Sequence, residues 1–88
     1  MDLQDYRKQI DLIDDELLAL FRDRMGIANQ IAHYKKANGL PVYDADRERE
    51  KLDAIGGKAG DELRPYSDIL FETLFALSRD YQETVINP

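Results

Sequence analysis

Residues 3–36 read LQDYRKQIDLIDDELLALFRDRMGIANQIAHYKK, and this stretch decides the fold. Its apolar positions are Leu3, Tyr6, Ile10, Ile13, Leu17 and Leu20, then Ile27, Ile31 and Tyr34. The spacing alternates threes and fours with one beat missing. That is the seam of a helix packed along its whole length against other helices. The missing beat is Arg24. A guanidinium among apolar neighbours is poorly hydrated and does not give up its proton, so it needs an anion.

The length of the stretch bears on assembly. At ~1.5 Å per residue it spans ~50 Å. A compact chain of 88 residues has a radius of gyration near ~12 Å, and as a sphere a diameter near ~30 Å. The helix is therefore too long to be buried by its own chain. A kink would need a breaker, yet the first proline is Pro41 and the only internal glycine is Gly26. The expectation is an intertwined helical homodimer in which a second copy covers the seam.

Working outward, Ala37-Asn38-Gly39 supplies a C-terminal cap, and Pro41 forbids continuation. Lys35 and Lys36 lie in the last turn, where cations suit the helix dipole. Leu40 to Tyr43 is a short connector. Asp44 is the predicted N-cap of a second helix, with Asp46 and Glu48 in its first turns. That helix is predicted to stop near Ile55, before Gly56-Gly57, and a mobile loop over 57–63 is expected to follow. Pro65 suits the first turn of a third helix, predicted from about Arg64 to Ile86. No stretch alternates like a strand. The expected class is all-α, with a long, a short and a medium helix in one domain over 1–88.

Composition narrows the function. There is no Cys, so no disulfide framework and no thiolate chemistry. A single His, His33, argues against His-rich metal sites, and no calcium-loop pattern occurs. No leader-like or membrane-spanning apolar run is visible, which points to a cytoplasmic protein with no membrane partner. A net charge of −6 argues against nucleic acid. A basic pocket in such a protein would be a local exception.

Other polar residues also fall where apolar ones belong. In the second helix the seam runs Ala45, Glu48, Leu52, Ile55, so Glu48 takes a core beat. Asp44 is one turn earlier on the same face, and Arg47 borders it. In the third helix one stripe reads Phe71, Leu74, Ser78, Tyr81, Val85, with Gln82 one turn after Ser78. On the first helix, Arg24 and Lys35 lie within ~20° of each other and ~16 Å apart along the axis. Two long side chains at that spacing can converge on one small anion. Arg7 is ~25 Å from Arg24 along the axis and ~100° around it. It cannot share that pocket within one chain, but across a two-fold axis, with the helices antiparallel, it can enter the partner's pocket.

The buried-polar set is thus Arg24, Lys35, Asp44, Arg47, Glu48, Ser78 and Gln82, with Arg7 from a second copy. A purely structural network, with Arg24 paired to Glu48, accounts for the same spacings. Taken singly, Lys35 is an ordinary helix-end charge and Ser78 an ordinary packing residue.

These residues carry a family resemblance. Arg7-x-x-Ile10-Asp11-x-x-Asp14-x-x-Leu17-Leu18, Arg24-x-x-Ile27-Ala28, Tyr34-Lys35, Pro41-Val42-Tyr43-Asp44-x-x-Arg47-Glu48 and Ser78-x-x-x-Gln82 together resemble the all-helical class of chorismate mutases. The resemblance implies an intertwined dimer with two equivalent sites that convert chorismate to prephenate, on the way to phenylalanine and tyrosine, without cofactor or metal. It implies that Arg24 and the partner's Arg7 hold the two substrate carboxylates. Lys35 and Gln82 would address the ether oxygen. Glu48 and the Asp44 backbone would receive the ring hydroxyl, and Arg47 and Ser78 would line the carboxylate end. Arg79 departs from the pattern, which places an apolar residue after Ser78; it either adds charge near the pocket or points to solvent. Dehydratase, dehydrogenase or synthase domains do not fit in this length, so a single activity is expected. Two alternatives stand beside it: an isochorismate-pyruvate lyase on the same fold, and a non-catalytic helical dimer acting as a regulatory module.

Overall fold

The computed structural model describes residues 1–88, which form three α-helices and no strand. The helices are α1 (Leu3–Asn38), α2 (Ala45–Ala59) and α3 (Arg64–Ile86), long, short and medium as expected.

Local chemistry sets most of the boundaries. At the start of α1 the Asp2 and Asp5 side chains accept each other's backbone N–H at 3.0 Å, a capping box that the spacing argument did not identify. At its end Gly39 adopts φ 64°, and the Leu40 N–H donates to the Lys35 carbonyl at 2.9 Å. This satisfies carbonyls the last turn would leave open, and it needs a residue that tolerates the left-handed region. Asp44 caps α2 as expected, its Oδ1 accepting the Arg47 N–H at 3.0 Å. Pro65 lies in the first turn of α3.

The end of α2 corrects the sequence reading. The helix does not stop near Ile55. It runs through Gly56-Gly57 to Ala59, so the connector to α3 is residues 60–63 and not 57–63. Two glycines cost a helix about 1 kcal/mol each. Here packing against α3 offsets that cost. Leu52 and Ile55 are half-buried, and Gly56 is buried with the Arg64 guanidinium lying across it. A Cβ at Gly56 would stand 2.7 Å from Arg64 Nε. Gly56 is therefore a place of close approach, and the break falls at Gly60, where φ is 83°.

α3 packs on both other helices. Arg24 faces Phe75 and Asn29 meets Tyr81, so α3 runs parallel to α1. Glu48 meets Arg79 and Asp53 meets Arg64, so it runs antiparallel to α2. The small residues Ala28 and Ala32 are buried on α1 and Phe75 on α3, with Phe71 edge-on to Phe75 at 6.3 Å.

This core occupies only the C-terminal half of α1. The chain measures 54 × 27 × 14 Å with a radius of gyration of 16.1 Å, well above the ~12 Å of a compact chain. The seam stays open in the single chain: Ile13, Leu17 and Leu20 are 51%, 55% and 65% exposed. No helix is long and apolar enough to cross a membrane.

Candidate active site

Where α1, α2 and α3 come together the chain forms a half-open cavity of about 390 Å³. Seven of the eight residues singled out from sequence line it: Arg24, Lys35, Asp44, Arg47, Glu48, Ser78 and Gln82. The helical register of α1 turns Arg24 and Lys35 to one side, the start of α2 supplies the acidic pair and Arg47, and one face of α3 supplies Ser78 and Gln82. Arg7 is exposed on the distal half of α1 and takes no part in this cavity within one chain.

The charge pairing differs from the structural network considered above. Glu48 does not bond Arg24. It receives a hydrogen bond from Arg79 Nη1, in an ion pair whose side chains are 23% and 35% exposed. Arg24 is in none of the chain's ion pairs, which are Arg49–Asp46, Arg64–Asp53 and Arg79–Glu48. Its guanidinium instead lies 5.9 Å from the centre of the Phe75 ring, a contact that holds a cation without neutralising it.

The other groups are positioned in the same way. Lys35 Nζ donates to the Val42 carbonyl at 2.7 Å, which ties the end of α1 to the connector and leaves further N–H groups on the ammonium. Gln82 is 5% exposed. Its Nε2 donates to Ser78 Oγ at 3.0 Å, while its buried Oε1 has no partner. The hydroxyl can accept or donate. With the amide turned over, Ser78 donates to Oε1 and Nε2 becomes the free group. Either way one polar atom of a buried amide is left for a ligand. Such an atom costs roughly 1–3 kcal/mol while unsatisfied.

Three contributors, Phe75, Val42 and Lys51, escaped the sequence reading, and a fourth, Arg79, was left between the pocket and solvent. Phe75 belongs to the stripe Phe71, Phe75, Ser78, Gln82, spaced four, three, four. The competing stripe through Leu74 and Tyr81 contains more apolar residues and hid it. Val42 belongs to no helix and so to no seam. Lys51 is three residues after Glu48 and shares its face. Arg79 is three before Gln82 and borders the Ser78–Gln82 face, so helical spacing alone could have placed it here. The departure from the family pattern thus enters the pocket. Its hydrogen bond to Glu48 raises the Arg79 guanidinium above its ordinary basic range, against the pull of burial, with the charges of Glu48 and Tyr43 adding to the rise. Arg79 stays a cation at any pH near neutrality.

In sum of charge, five cations (Arg24, Lys35, Arg47, Lys51, Arg79) face two carboxylates (Asp44, Glu48) across the cavity. One carboxylate is engaged as a helix cap and the other by Arg79. In a chain of net charge −6 this is a local excess of positive charge around a pocket of small-molecule size.

Comparison with known proteins agrees with this chemistry. Residues 6–83 match the family model described as chorismate mutase type II. The bifunctional chorismate mutase/prephenate dehydratase of Aquifex aeolicus is 39% identical over 54 residues, 61% of this chain and 15% of that protein. The T-protein of Haemophilus influenzae is 40% identical over 52 residues, 59% of this chain and 14% of that protein. The chorismate mutase of Methanocaldococcus jannaschii is 38% identical over 53 residues, 60% of this chain and 54% of that protein. The matched segment thus spans about half or less of each relative's length. No solved structure matches the chain significantly. The match reaches into all three helices and spans every cavity-lining residue, and the chain belongs to the chorismate mutase type II family.

Proposed function

We propose that this chain rearranges chorismate to prephenate, working as a homodimer in which each copy lends Arg7 to the other's cavity. The observation that carries this reading is Arg24. It is an uncompensated guanidinium beside a cavity, with Glu48 already engaged elsewhere.

Chorismate is a dianion, and its rearrangement breaks a carbon–oxygen bond and forms a carbon–carbon bond within one molecule. No proton has to be moved and no nucleophile is consumed, so the work left to the protein is positioning and charge. Arg24 and the second copy's Arg7 would each grip a carboxylate through paired N–H donors, holding the two reacting ends in the folded conformer. Lys35 and Gln82 would donate to the ether oxygen, where negative charge grows as the bond breaks. The free polar atom of Gln82 fits that role once its amide is turned by Ser78. Glu48, with the backbone at Asp44, would accept the ring hydroxyl. Arg47 and Ser78 would line the carboxylate end.

The dimer reading rests on the open seam and on Arg7. If Arg7 meets Arg24 across a two-fold axis with the α1 helices antiparallel, the helices cross between Asp15 and Glu16. That register places Ile10, Ile13, Leu17 and Leu20, all exposed in the single chain, at the centre of the contact.

The test is spectrophotometric. Protein added to chorismate should consume its absorbance and yield prephenate. Salicylate and pyruvate from isochorismate, with chorismate untouched, would move the site to lyase chemistry. A well-folded dimer inert to both substrates would leave only a non-catalytic role.

A further inference from the structure

The geometry points to Arg79 as a positioning residue that holds Glu48 away from the substrate-gripping cations, so that Arg24 stays free for a carboxylate of the ligand. This rests on the anion-site reading above and deepens it.

The problem it solves is internal competition. Arg24 and Lys35 on α1 face Glu48 across a cavity whose walls also carry Arg47 and Lys51. A carboxylate so placed, left to itself, pairs with the nearest cation. A Glu48–Arg24 pair would close the site on itself, and an incoming dianion would first have to break it. Arg79 removes that option. It takes the Glu48 carboxylate from the α3 side, and its guanidinium is itself held 5.0 Å from the centre of the Tyr43 ring. Tyr43 lies in the connector just before the Asp44 cap, so its backbone is set beside the start of α2. The result is an anchored chain from Tyr43 through Arg79 to Glu48, with Arg24 left on the Phe75 face. Glu48 keeps a second oxygen for a ligand hydroxyl, since a carboxylate accepts at both oxygens.

Removing Arg79 should therefore harm ground-state binding more than the chemical step. Arg79→Met keeps the apolar stem, and Arg79→Gln keeps hydrogen bonding without charge. For both, KM for chorismate should rise roughly tenfold or more, the worth of one charge-assisted hydrogen bond, with kcat changed much less. Arg79→Lys should recover most of the loss, because a point charge still holds the carboxylate. In a Glu48→Gln background, Arg79→Met should leave KM where Glu48→Gln alone puts it, because no carboxylate remains to mispair. Arg49→Gln removes an exposed α2 cation outside the cavity and serves as the control. Calorimetric titration with prephenate reads the same shift as a Kd, without relying on turnover.

Wild-type protein that binds prephenate but does not turn over chorismate would remove the proposed activity, and the Kd series would still decide the role of Arg79. An unchanged KM and Kd in the Arg79 variants would overturn the inference. So would an equal loss in the Glu48→Gln background, which would mean that Arg79 touches the ligand itself. Failure of both Arg79→Met and Arg79→Gln to fold, while Glu48→Gln folds, would make the residue structural and overturn it as well.

Discussion

Replacing Arg24 by Leu separates a binding cation from a structural one. Arg24 has no carboxylate partner, and its one specific contact is the Phe75 ring at 5.9 Å. Losing that contact costs the folded chain about 0.5–1 kcal/mol. A leucine there packs on Ala28 and Phe75 and recovers part of the ~1.5–3 kcal/mol available to a fully buried leucine. Stability should thus stay within about 1 kcal/mol of wild type, a shift in Tm of no more than ~4–8 °C for a domain of this size. Urea unfolding at fixed protein concentration is the appropriate assay, since the stability of the proposed dimer would depend on concentration. Activity should respond differently. Two charge-assisted hydrogen bonds to one carboxylate, each worth about 1.5–3 kcal/mol, predict a fall in kcat/KM of roughly 10²- to 10⁴-fold. Arg24→Lys should also lose much of its activity, because the planar fork is gone. A Leu variant that lost about 3–5 kcal/mol of stability would behave like the survivor of a broken buried pair. That result, or turnover near wild type, would refute the reasoning.

Lys35→Ala should lose about 3 kcal/mol of transition-state stabilisation, roughly a hundredfold in kcat, with a smaller change in KM; steady-state kinetics showing a KM effect alone would contradict the role given to this ammonium. Arg7→Ala and Arg24→Ala homodimers should each be nearly inactive, yet subunit exchange between them should restore about a quarter of wild-type turnover. In a statistical mixture half the dimers are mixed, and each carries one intact site; no recovery after verified exchange would place Arg7 outside the partner's cavity. Gly57→Ala should stabilise the chain by about 0.5–1 kcal/mol, since a Cβ there meets nothing within 4 Å. Gly56→Ala should gain less in urea melts, because its Cβ must displace the Arg64 guanidinium from its weak 3.5 Å pairing with Asp53.

What could be read from the sequence depended on the range of the forces involved. Caps and proline act within a few residues, so Gly39, Asp44 and Pro65 marked helix ends correctly. Helical periodicity is equally local, and it singled out Arg24, Lys35, Glu48, Ser78 and Gln82, which the fold brings to one cavity. The reading faltered where a distant residue changes the local balance. Gly56-Gly57 looks like a stop until Arg64 is laid across Gly56. Glu48 looks like the partner of Arg24 until Arg79, 31 residues further on, is seen to take it. Both the correction at Gly56 and the choice between partners for Glu48 turn on an arginine of α3, the last helix in the chain and the one that packs on both others.

The open seam bears on how so small a chain keeps an unpaired cation beside its cavity. Its own core buries few side chains, the only large one being Phe75. A domain of this size has little stability to spare for an unpaired cation. The long exposed seam of α1 offers a way out, because burying it against a second copy would add apolar contact remote from the cavity. On this view the seam and the site are two halves of one arrangement. The seam would supply the stability that lets Arg24 remain unsatisfied, and the register that buries the seam is the one that would bring Arg7 to the cavity. A variant that weakens the seam near Asp15 and Glu16 should therefore lose activity and stability together, whereas one that empties the cavity should lose activity alone.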